Sequence, residues 1–216
     1  MQPDELIESL RTNRLLAIVR GTDPDAALDT VLALFGGGVR LVEVSLTTPG
    51  ALGVIEQARA VLGPDAALGA GTVLTPADAR DAAAAGAAFA VTPGVTAALD
   101  QARENGLPVV AGAVTPTEVA LALAEGAAAV KLFPASLGGP AYLKALSDPF
   151  PAAHFVPVGG VDARAAADFL AAGALAVGVG GPLVGTAARP GGDAELPARI
   201  AQFLRLAKGE QPCSTS

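Results

Sequence analysis

Short runs of apolar, β-branched or alanine-rich residues recur at Leu15 to Val19, Arg40 to Val44, Ala66 to Ala70, Ala87 to Val91, Pro108 to Ala111, Ala128 to Leu132, Phe155 to Val158 and Ala174 to Val179. Their length and composition predict eight strands. Between them lie Ala/Leu-rich segments of helical period, such as Asp25 to Phe35, Pro76 to Ala85, Thr117 to Ala124 and Ala163 to Ala171, most of them ending at glycine. The pairs Asp23-Pro24, Thr48-Pro49, Thr75-Pro76 and Thr115-Pro116 each set a capping oxygen before a proline whose fixed φ suits the first helical turn. Thr115 with Glu118 adds a capping box. Strands alternating with helices imply right-handed crossovers and a parallel sheet, and this number of repeats predicts a closed (β/α)8 TIM barrel, with an open doubly wound sheet as the alternative.

A chain of 216 residues, 51% hydrophobic, holds one domain with a full core. The expected barrel spans residues 1–207, and the polar segment Lys208 to Ser216, which has no apolar face, is expected to be disordered. A net charge of -7 and the lack of a dense basic run argue against nucleic acid or an anionic membrane as partner. Two uncharged stretches, Ala82 to Leu99 and Phe169 to Ala188, raise the question of membrane spans. Both are dominated by Ala and Gly and broken by Pro-containing segments that suit loops. Met1 to Arg14 is charged and has no apolar targeting core, and the single cysteine, Cys213, has no intrachain partner. The expectation is a cytoplasmic, disulfide-free protein.

In a parallel barrel reactive groups come from the C-terminal ends of strands, so the polar residues there are the ones to question. They are Arg20, Glu43 with Ser45 and Thr47, Thr72, Thr92, Thr115 and Lys131, with the glycine pairs Gly159-Gly160 and Gly180-Gly181. Lys131 lies inside Ala127 to Phe133, a run that otherwise reads as a buried strand. Burial of an ammonium is costly and favours the free amine that can attack a ketone. The competing reading is a strand-end lysine that snorkels to solvent or pairs with a carboxylate. The other two lysines, Lys144 and Lys208, sit on a helical segment and in the tail.

Strand alternation puts Leu41, Glu43 and Ser45 on one face, Val42 and Val44 on the other, so Glu43 faces the barrel interior. There it can accept a substrate hydroxyl proton, or it can form a structural ion pair with Lys131 or Arg20. Thr72 follows glycines that allow close backbone approach, which suits a hydroxyl bonded to a carboxylate or a plain turn threonine. Thr48, Thr75 and Thr115 are accounted for by capping. The two glycine pairs occupy positions where barrels cradle phosphate with backbone N–H groups, although Asp162, expected to cap the next helix, argues mildly against a dianion. The lone histidine, His154, precedes the seventh strand, so neither a metal site nor a serine or cysteine triad is expected.

Taken together, Leu16 to Gly21, Val42-Glu43-Val44, Gly69 to Leu74, Val91 to Gly94, Lys131 to Ala135 and Val158 to Val161 make the chain, from about Leu6 to Leu206, resemble a bacterial family of class I aldolases. That family acts on 2-keto-3-deoxy-6-phosphogluconate, 2-keto-3-deoxy-6-phosphogalactonate and 4-hydroxy-2-oxoglutarate. The resemblance implies that Lys131 forms the Schiff base, Glu43 is the general acid/base, Thr72 donates to the pyruvate carboxylate, and Phe133 and Pro93 line the pocket. It also implies a homotrimer acting on a small 2-keto acid without metal or organic cofactor. Two positions depart from the phosphogluconate pattern. Thr47 stands where phosphogluconate-cleaving members usually carry an arginine that binds the carboxylate; the phosphogalactonate branch, which Gly139 to Leu146 also resembles, often has a small polar residue there, and Gly181 stands where many members carry a phosphate-binding serine. The expected reaction is cleavage of a 2-keto-3-deoxy-6-phospho sugar acid to pyruvate and glyceraldehyde 3-phosphate. Arg20 is expected at the distal carboxylate, hydroxyl or phosphate. An unphosphorylated substrate, or a non-catalytic keto-acid-binding barrel, are the alternatives.

Overall fold

A computed structural model describes residues 1–209. Eight parallel strands, β1 (Leu15–Val19), β2 (Leu41–Ser45), β3 (Ala67–Gly71), β4 (Ala90–Val91), β5 (Val109–Ala113), β6 (Ala129–Leu132), β7 (Phe155–Pro157) and β8 (Val177–Val179), run in the order β7-β6-β5-β4-β3-β2-β1-β8. A single parallel bridge, Val158 to Gly178, joins the two edges and closes the barrel, which sets aside the open sheet. The seam is tight because Gly178 has no side chain: a Cβ there would stand 2.5 Å from the Val158 methyl.

Around the strands pack α1 (Pro3–Asn13), α2 (Pro24–Gly36), α3 (Ala51–Leu62), α4 (Pro76–Ala84), α5 (Ala98–Glu104), α6 (Pro116–Ala124), α7 (Gly139–Ser147), α8 (Ala163–Ala171), α9 (Gly181–Val184) and α10 (Leu196–Ala207). The side-chain period of two sorts each strand. Val42, Val44, Val130 and Leu132 point outward into the layer shared with the helices, while Leu41, Leu16, Val110, Ala129 and Val156 fill the barrel. Phe89 is the largest interior plug, and it fits because Gly69 faces its ring.

Helix α1 was not foreseen, because its charged face (Asp4, Glu5, Glu8, Arg11) masks two leucines one turn apart. Leu6 and Leu10 are fully buried in the interior cluster with Leu16, Leu41 and Ala67, so the helix closes the N-terminal mouth of the barrel. Deleting such a side chain removes transfer free energy and leaves a cavity; Leu10→Ala is expected to cost about 2–5 kcal/mol, read from the urea midpoint.

Asp23, Thr75, Thr115 and Asp162 cap α2, α4, α6 and α8 as expected, the two threonines within capping boxes. Thr48 does not. Helix α3 starts at Ala51 behind Gly50, whose φ of 66° opens the turn, and the buried Thr48 hydroxyl instead accepts the Gly21 N–H at 3.1 Å, tying the end of β2 to that of β1. The two uncharged stretches each break across elements, α4–β4–α5 and α8–β8–α9, and among the described residues no helix is long and apolar enough to cross a membrane. Of the segment expected to be a disordered tail, only Lys208 and Gly209 are described, Lys208 closing α10; the rest, Cys213 included, lies outside the described residues.

Candidate active site

Strand β6 carries Lys131 inward from between Val130 and Leu132, which face the helices. The lysine is 6% exposed, so it does not snorkel, and its Nζ lies 5.0 Å from the centroid of the Phe133 ring. Contact with a π face partly offsets the loss of water around an ammonium without occupying the nitrogen's lone pair when the group is neutral.

Glu43, on β2, is 1% exposed. Its Oε1 lies over Gly71, where a Cβ would come within 2.5 Å of it, and its Oε2 has no hydrogen-bond partner. Ion pairs among the described residues join Arg11–Glu8, Arg103–Asp100, Arg164–Asp168 and Arg199–Asp193, so Glu43 is in contact pairing with neither Lys131 nor Arg20. Burial pushes its carboxyl up, Lys131 and then Arg20 pull it back, and burial wins. The result is a carboxyl with a raised proton affinity and an oxygen still to be satisfied, the combination a general acid/base requires.

Glycines make room on both sides of these groups. Gly71 admits Glu43, and Gly112, opposite Lys131 in the β5–β6 ladder, lets the Pro93 backbone settle against the strand. That loop is fixed by the buried Thr92, whose hydroxyl donates to the Gly94 carbonyl at 2.7 Å. Beyond Glu43, the buried Ser45 hydroxyl lies 2.8 Å from that of Thr47 and 2.9 Å from that of Thr72, joining two threonines far apart in sequence. Thr72 has φ 59°, a left-handed conformation that costs a β-branched residue energy and is found where a site constrains the chain.

A cleft of about 210 Å³ opens at the C-terminal ends of β1, β7 and β8, and Arg20, Phe133, Gly159, Gly160, Gly180 and Gly181 all line it. Gly159 and Gly160 have φ of 91° and 75°, and a Cβ at Gly160 would meet Ser136 at 2.7 Å. Lys131 and Glu43 are not in its walls; Phe133, which lines the cleft and whose ring lies against Nζ, links the two regions.

The family model for KDPG and KHG aldolases matches residues 6–196. The chain belongs to this family. It is 38% identical over 168 residues to the 2-dehydro-3-deoxy-phosphogluconate aldolase of Treponema pallidum, covering 77% of this chain and 80% of that one. It is 38% identical over 171 residues to the 2-dehydro-3-deoxy-6-phosphogalactonate aldolase of Escherichia coli K12, covering 78% and 83%. The crystal structure of KDPG aldolase from Legionella pneumophila, with pyruvate captured as a covalent carbinolamine, superposes with a TM-score of 0.80 at 29% identity, covering 98% of this chain and 99% of that one. The protein is therefore a class I aldolase on a TIM barrel, and the non-catalytic alternative falls away.

Within this aldolase the expected residues fall into three groups: Lys131 with Glu43 inside the barrel, Thr47 with Thr72 on the Ser45 hub, and Arg20, Phe133 and the four glycines in the cleft. Pro93 stands apart from the cleft, next to Gly112. Sequence reasoning assigned no role to Ser45, although alternation already put it on the Glu43 face. It missed Gly112 altogether, whose signal was a small residue between apolar ones in a strand.

Proposed function

We propose that this aldolase cleaves a 2-keto-3-deoxy-6-phospho sugar acid, reversibly, to pyruvate and glyceraldehyde 3-phosphate. One observation carries the reading: a lysine amine and a carboxyl, both buried in one barrel, neither of them in a contact ion pair. The Lys131 amine adds to the C2 ketone and water leaves, giving an imine. Glu43 takes the proton of the C4 hydroxyl, the C3–C4 bond breaks, and its electron pair passes into the imine to leave pyruvate as an enamine. A proton returned to C3 and water added to the imine release pyruvate and restore the amine.

The substrate carboxylate is assigned to the Thr47 and Thr72 hydroxyls, and the distal phosphate to the cleft, where Arg20 is the charged side chain and backbone N–H groups of the glycine pairs can donate. Phe133 and Pro93 shield the imine from water. We extend the proposal to a cytoplasmic homotrimer: the single cysteine suits a reducing compartment, and the exposed Leu74, Leu121, Leu123 and Leu137, from the β3 to β6 units, suit a subunit contact.

An unphosphorylated substrate such as 4-hydroxy-2-oxoglutarate has Gly181 and Thr47 in its favour, since Gly181 brings no side-chain hydroxyl to the cleft where many family members carry a phosphate-binding serine, and Thr47 departs from the phosphogluconate pattern. Pyruvate release measured across both C4 epimers of the sugar phosphate and 4-hydroxy-2-oxoglutarate separates the two. The proposal expects the larger kcat/KM for a phosphorylated substrate; the reverse order would replace it with the second reading.

A further inference from the structure

The two sides of the cleft are braced differently. On the β7 side the support is main chain: Ala135 N–H donates to the Val158 carbonyl at 2.8 Å and Ser136 N–H to the Gly159 carbonyl at 3.1 Å. On the β8 side, Pro182, Val184 and Gly185 form the wall; its main-chain bonds, from the Leu183 and Val184 N–H groups to the Gly180 carbonyl, stay within the turn, the Leu183 and Val184 side chains are buried beneath it, and a polar tie to the rest of the barrel comes from one ion pair of α10 and the loop before it. Arg199 Nε donates to the Leu183 carbonyl at 2.8 Å, and its Nη2 donates to the Val184 carbonyl at 3.2 Å and to Asp193 Oδ2 at 2.7 Å. Asp193 Oδ2 in turn accepts from the Thr186 N–H at 3.0 Å and hydroxyl at 3.1 Å, and Oδ1 from the Glu195 N–H at 3.0 Å.

Every one of these bonds ends on residues 183 to 186 or on the loop that carries the clamp. The carbonyls at the end of a helix have no partner within it, so a guanidinium fork is the group that satisfies two of them at once. Gly185 shows how closely the parts fit: with φ 59° it presses against both Asp193 and Arg199, and any side chain there would strike the pair. The two side chains are 22% and 14% exposed, so water neither screens the pair fully nor replaces it. Arg199 first, and the backbone N–H of Thr186 next, hold the Asp193 carboxyl well below the usual carboxylate range, which keeps the clamp charged through any neutral assay.

From this we infer that Arg199, with Asp193, is a positioning residue for the distal end of the substrate: it holds the β8–α9 wall in the conformation that receives the phosphate. The inference rests on the reading of this cleft as the phosphate seat. Arg20 is the one polar side chain among the residues lining the cleft, so the rest of the recognition falls to backbone groups at fixed positions, and fixed positions are what the clamp supplies. Lys131 lies on β6, separated from β8 by β7, and is not in the cleft walls, so the amine does not rest on the clamp.

The experiment compares wild type, Arg199→Met and Arg199→Lys on 2-keto-3-deoxy-6-phosphogluconate, its C4 epimer and 4-hydroxy-2-oxoglutarate, with pyruvate trapping by borohydride as a probe of the proximal site. The expected result is a KM for the phosphorylated substrates raised roughly three- to tenfold in Arg199→Met, the size of reordering a wall on binding. Its kcat and the half-saturating pyruvate concentration for trapping hold, and Arg199→Lys recovers part of the loss. Asp193→Asn, which keeps its acceptor to Thr186 but loses the charge, gives the same pattern should the methionine variant fail to fold. Equal KM increases for phosphorylated and plain substrates, or none, would overturn the clamp while leaving the phosphate seat in place. A wild-type enzyme with no preference for phosphorylated substrates would overturn both.

Discussion

Lys131→Met is expected to fold, to melt no lower than wild type, and to release no measurable pyruvate. Methionine fills most of the volume of a lysine stem, and the group it replaces is a buried amine in contact with a ring and with no carboxylate in contact range. Losing the amine therefore relieves a desolvation cost instead of breaking a bond. Activity fares differently, because without imine formation the C3–C4 electron pair has nowhere to go. Deleting the group that forms the covalent intermediate costs roughly 10^6-fold in kcat where it has been measured in other enzymes, and a loss of that order is expected here. Pyruvate and borohydride added to wild type should reduce an adduct onto the peptide containing Lys131 and onto no peptide of the variant. Adduct on Lys144 or Lys208, or pyruvate release by a folded Lys131→Met protein, would remove the central residue of the mechanism.

The parts of this site that were legible in the sequence are those where a residue contradicts its surroundings. A lysine within Ala-Ala-Val-Lys-Leu-Phe and a glutamate within Leu-Val-Glu-Val-Ser stand out because buried strands tolerate neither charge without a reason, and the period of two says which way each points. The barrel was legible for a similar reason, since eight apolar runs separated by capped helical segments leave few topologies open. Thr48 shows the limit of local reasoning. The Thr-Pro pair reads as a helix start like the other three, but a left-handed Gly50 delays the helix and frees the hydroxyl for Gly21, a partner 27 residues away that no local pattern announces. The same holds for Ser45 and Thr72, brought together by β2–β3 pairing, and for Arg199, whose partners precede it at the end of the short α9 and in a loop with no repeat or motif of its own. Helix α1 was hidden by scale: two leucines among charges carry little signal until the open end of a barrel is there to receive them.

Glu43→Gln should lose activity and gain stability together. The amide has nearly the shape of the carboxyl and can still sit over Gly71, but it cannot carry a proton, so kcat is expected to fall about 10^2- to 10^4-fold, the contribution of a positioned acid or base. The stability effect follows from the raised proton affinity. Below the ordinary range of a glutamate both folded and unfolded states hold the proton, and the residue contributes nothing to pH dependence. As pH rises through that range the unfolded chain ionises first and is favoured, so the folded wild type loses stability until its own carboxyl ionises, after which the deficit stays constant. Glutamine has no such deficit. The difference in melting temperature, variant minus wild type, should therefore grow as pH rises above the ordinary glutamate range and level off once the folded carboxyl ionises, while borohydride trapping of pyruvate on Lys131 continues in the variant at a reduced rate. A wild type that gains on the variant as pH rises would mean that the carboxylate is held by its cations more strongly than burial opposes it, and Glu43 would then be a structural counter-ion to Lys131 and Arg20 instead of the group that moves the proton.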